Sequence, residues 1–172
     1  VIFRSIHSFR TGFWILTACL SVMLFGGCST FHRDWKQAVS LTNEDSLEGA
    51  WKGDWESGKN GHHGKLKCIL SPIDGSSDYR ARYRAHYFAI LRFEHSARLS
   101  LSAVEDAAQP SKSSYNIQGE ADLGRLAGGV YRYEGKIING SFEMEYRSSY
   151  DHGIYRLQRV SKQNEMNSNP LY

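Results

Sequence analysis

From Gly49 to Arg159 apolar and polar residues alternate with period two, the pattern of strands that bury one face and wet the other. Trp51, Gly53 and Trp55 share a face in the first run, and Leu66, Cys68 and Leu70 share one in the second. The clearest run is 79–87, with Tyr79, Ala81, Tyr83, Ala85 and Tyr87 on one side and Arg80, Arg82, Arg84 and His86 on the other. Leu91 and Phe93 follow, then Leu99, Leu101 and Ala103. Tyr115 and Ile117, Tyr131 and Tyr133, Phe142, Met144 and Tyr146, and Tyr155, Leu157 and Arg159 continue the alternation. Turn residues separate the runs: Gly58-Lys59-Asn60-Gly61, Asp74-Gly75-Ser76, Gly128-Gly129, Asn139-Gly140 and Asp151-His152-Gly153. Asn139-Gly140 predicts a two-residue hairpin, because a type I′ turn needs positive φ at both central positions. Gly128-Gly129 is expected at a bulge or a tight barrel corner. The pattern predicts an all-β domain over 47–160, with about eight or nine strands and no helix. The expected architecture is a small antiparallel up-and-down barrel, since closure removes exposed edges, with a β-sandwich as the alternative.

The flanks read differently. In 28–46, Phe31, Trp35 and Val39 recur at a spacing of four, which predicts a turn or two of amphipathic helix within a tether. Residues 161–172 are polar and read as a disordered tail. At the other end Arg4 and Arg10 precede an apolar run that ends in Gly26-Gly27, the three parts of a secretory signal. Thr17 and Ser21 interrupt that run, which falls short of the roughly 20 apolar residues a membrane-spanning helix needs.

Leu24-Phe25-Gly26-Gly27-Cys28 resembles a bacterial lipobox, although Phe25 stands where leucine is commonest. The resemblance implies that residues 1–27 are a cleaved signal peptide and that Cys28 carries palmitate-type acyl chains. It also implies, because Ser29 rather than Asp follows the cysteine, a place in the outer membrane with the body facing the periplasm. A transmembrane anchor, or an ordinary secretory signal with Cys28 incidental, are the alternatives. Two or three acyl chains would anchor stably where one binds only reversibly.

Removing that segment takes away two arginines and no acid, so the net charge falls from +3 to about +1. A body so close to neutral argues against nucleic-acid partners, which call for a strongly basic face. Cys19 lies in the signal and Cys28 is the lipid site, which leaves Cys68 as the one thiol of the body and excludes an intramolecular disulfide there. Its place between Leu66 and Leu70 predicts a buried packing role.

Gly49-Ala50-Trp51 resembles the G-x-W that opens lipocalin-like (calycin) barrels. That resemblance implies that Arg159, on the last strand, packs across Trp51 and closes one end. It also implies a carrier of an apolar or amphipathic small molecule. Tyr83, Tyr133 and Tyr146 are then the ligand-facing candidates, because tyrosine joins apolar area to a polar tip; in a narrower barrel they would simply fill the core.

Other chemistry is sparse. Asp54, His62 or His63, and His86 are the set one would test for a metal, but adjacent histidines on a strand point to opposite faces, and no metal is expected. Arg80, Arg82 and Arg84 could grip anions, or form an exterior face balanced by acids such as Glu143 and Glu145. No serine or cysteine stands in a recognisable catalytic motif, so neither enzymatic activity nor a cofactor is expected. Two functions remain open: a lipid-anchored envelope module for an apolar or amphipathic small molecule, or an envelope structural or interaction protein with a filled barrel and no such ligand.

Overall fold

The computed structural model describes residues 29–43, 46–87, 91–104 and 114–161. Cys28 and the whole lipobox, like the segment 162–172, lie outside the described residues. The described residues divide between two compact units, with the boundary after Lys36.

Among the described residues one α-helix, α1 (Ser29–Leu41), precedes the strands. It is longer than the turn or two that the spacing of Phe31 and Trp35 predicts, and those two rings stack 6.2 Å apart. No described helix is long and apolar enough to cross a membrane. Thr42 ends the helix by donating its hydroxyl to the Ala38 carbonyl at 2.9 Å and accepting the Ala50 amide at 3.1 Å, which fixes where the first strand begins.

Eight antiparallel strands follow: β1 (Gly49–Ser57), β2 (His63–Pro72), β3 (Asp78–Tyr87), β4 (Leu91–Ala103), β5 (Ser114–Asp122), β6 (Val130–Ile138), β7 (Ser141–Arg147) and β8 (His152–Arg159). Each pairs with its sequence neighbours and β8 pairs with β1, so the sheet closes into an up-and-down barrel and the sandwich alternative falls away. The sequence left the count at eight or nine because Leu91-Phe93 and Leu99–Ala103 read as separate runs; they are one 13-residue strand.

Inward positions match the period-two pattern. Trp51, Cys68 and Tyr83 lie in register across β1, β2 and β3, and His95 continues the row on β4. Asn139 and Gly140 both have positive φ, 50° and 77°, and join β6 to β7 as the two-residue turn that the sequence predicts. Gly128-Gly129 departs from expectation. The pair lies in the β5–β6 connection, after a single 3-10 turn at Arg125–Ala127, rather than in a bulge or corner. Tight approaches occur instead at Gly53, Gly64 and Gly153, where a Cβ would fall 2.0 Å from the carbonyl oxygens of Arg156, His86 and Glu56 respectively.

Candidate functional site

The middle of the barrel is a cluster of tyrosines. Tyr83 on β3, Tyr133 on β6, Tyr146 on β7 and Tyr155 on β8 all point inward and are all buried. Ring centroids stand 5.4 Å apart for Tyr83 and Tyr155, 6.3 Å for Tyr83 and Tyr133, and 5.0 Å for Tyr146 and Tyr155. These tilted and offset pairs are the favoured geometry for aromatic rings. Burial pushes the phenol of each of the four well above its ordinary range, so all of them stay neutral. Cys68 is buried beside Tyr83, and burial pushes its thiol up as well, leaving it inert as the sequence pattern predicts. The structure therefore brings together all three tyrosines singled out from the sequence and adds Tyr155, which the alternation placed inward but gave no special role.

One end of the barrel is built on Trp51. Its indole N–H donates to the Leu47 carbonyl at 3.2 Å, and Phe142 meets its ring edge-on at 5.6 Å. The Arg159 guanidinium lies over the indole, 4.7 Å from the ring centroid, while donating to the carbonyls of Asn43 and Ser46. One side chain thus covers the tryptophan and ties the segment before β1 to the last strand.

The opposite end carries a polar knot. Asp151, in the β7–β8 connection, accepts Ser57 Oγ at 2.8 Å and Tyr146 OH at 3.2 Å. The Ser57 oxygen also accepts the amides of Lys59 and Asn60. A hydroxyl that donates directly to a carboxylate while taking two backbone amides anchors a turn, and its lone pairs are committed.

His95 is the inward residue that sequence reasoning passed over, since its neighbours gave no motif. It stacks on Tyr83 at 5.0 Å and Phe93 at 5.5 Å, and its Nε2 meets Tyr133 OH at 3.2 Å. Its Nδ1 is buried without a hydrogen-bond partner among the described residues. Burial lowers its pKa from the ordinary 6.5 to about 4, so the ring is neutral near pH 7.

Outside the barrel the charges pair locally. Glu143 and Glu145 sit four strands from β3 and do not balance its arginines. Arg156 holds Glu143 at 3.2 Å, Arg147 holds Glu145 at 2.8 Å, and Glu94 on the adjacent β4 holds Arg84. Parity alone could not find these partners, because it gives a face and not a neighbour. His62, in the β1–β2 connection, and His63, the first residue of β2, are exposed, and among the described residues no three metal-ligating side chains converge. A polar cleft of about 870 Å³ runs along the outer face of β5, β6 and β7, lined by Asn116, Gln118, Glu134, Lys136, Glu143 and Glu145 among others.

No family model matches this chain, and neither does any curated protein or solved structure.

Proposed function

We propose that this chain is a non-enzymatic interaction module of the cell envelope, anchored by lipid on Cys28 and facing the periplasm from the outer membrane. Its barrel acts as a rigid filled body that meets a partner through its outer surface. The observation that carries this reading is the tyrosine centre. Tyr83, Tyr133, Tyr146 and Tyr155 pack against one another in the middle of the barrel. A small apolar ligand would have to displace rings that already make favourable contacts, unlike a cup built to receive one. The Trp51–Arg159 contact at one end and the Asp151 knot at the other support the same reading, since both brace the β1–β8 seam.

The test is mass spectrometry of the full chain, purified from its own host and extracted with organic solvent. An empty protein supports the interaction module. A small molecule recovered in stoichiometric amount would overturn it in favour of a carrier.

A further inference from the structure

The barrel does not close along its whole height. β4 pairs with β3 from Leu91 to Ser100, but β5 pairs with β4 only from Arg98 to Ala103. Leu91–Ala97 therefore has a strand neighbour on one side only, among the described residues. In an antiparallel ladder alternate residues turn their N–H and C=O to alternate sides, so seven residues leave about three of them with open backbone groups. Such an edge is a template for strand addition. Two large apolar side chains mark it, Leu91 at 62% exposure and Phe93 at 37%.

We propose that this edge pairs with the same segment of a second copy of the chain, antiparallel and centred on Phe93. The charges select that occupant and that register. Centring on Phe93 sets Arg92 opposite Glu94 of the second copy, twice by two-fold symmetry. Glu94 already takes Arg84 of its own chain, with Nε at 2.7 Å, so each outer row would run arginine, glutamate, arginine. Centring one residue later, on Glu94, would instead oppose two carboxylates, an arrangement that destabilises a sheet. Inside the rows Phe93 meets Phe93, and Leu91 meets His95. The proposal deepens the interaction-module reading and rests on it by naming the partner.

The test places the photo-reactive residue p-benzoylphenylalanine at Phe93 in the full chain, in cells that make it. Irradiation should give an adduct of twice the chain mass, with the cross-link mapping to 91–95 of the second copy. The same probe at Val104, beyond the other end of β4, should give none. Arg92→Glu and Glu94→Arg should each lower the adduct about tenfold when expressed alone, because each sets like charges opposite each other. Expressed together, the two variants complement and the mixed adduct returns. Absence of the doubled adduct from the parent chain overturns the proposal, whether or not the variants fold. So does an adduct that maps elsewhere, or one that forms only with another protein. This last outcome leaves the interaction-module reading standing, whereas a stoichiometric small molecule in the extract sinks that reading whatever the cross-link shows.

Discussion

Arg159 does three things from one position: it caps an indole and holds two carbonyls of the segment that leads into β1. Replacing it with Ala removes the cation–π contact and leaves those carbonyls without a charged donor, an expected loss of about 1–3 kcal/mol. Chemical denaturation of Arg159→Ala reads this directly, and an unchanged midpoint would refute the closure. His95 supplies a pH dependence whose sign follows from its depressed pKa. Between about 4 and 6.5 the unfolded chain binds the proton and the folded chain does not, so protonation favours unfolding. Its contribution to stability is complete above pH 6.5, falls as the pH drops toward 4, and levels off below. Parent protein should lose about 2–3 kcal/mol more than His95→Gln across that window. Parallel denaturation curves at pH 7 and pH 4 would show it.

At the scale of elements, backbone approach sets the limits. Gly53 faces Leu157 across the β1–β8 seam, where an added Cβ would also lie 2.9 Å from the Leu157 Cα. The clash is with backbone, which cannot rotate away, so Gly53→Val should cost more than about 3 kcal/mol or prevent folding. Circular dichroism with a melting curve decides it. By contrast Gly140→Ala, in the β6–β7 turn at φ 77°, meets only an Arg159 Cβ at 3.8 Å. It should cost about 1 kcal/mol from the positive φ alone. Much of this was legible beforehand. The Asn139-Gly140 turn is a local backbone requirement written in two residues, and the strand faces are a period. Gly53 is different: the sequence shows a glycine in a strand, but only the strand order brings β8 against it. The same holds for Glu94, whose pairing with Arg84 depends on register between two strands.

For the molecule as a whole, the lipid-anchored reading proposed above rests on Cys28. Cys28→Ala should release the protein from membranes or leave it unprocessed, and fractionation with an N-terminal mass measurement distinguishes these from a mature, membrane-integral product that would refute lipid anchoring. The interior makes a separate point. Eight strands give a bore narrow enough for side chains to fill, and here four tyrosines with Trp51, Phe142 and Leu157 occupy it.

The sequence by itself determined what is local: which residues face inward, where the hairpins turn, that Cys68 is buried, and that the domain is all-β. Each of these follows from a period of two or from the φ a turn demands. The tertiary structure alone decided closure, strand order and the seam. It set His95 against Tyr133, set Gly53 against the Arg156 carbonyl, and, among the described residues, left half of β4 with a strand neighbour on one side only. Those facts join residues far apart in the chain, and alternation carries a residue's face but not the strand that will lie beside it.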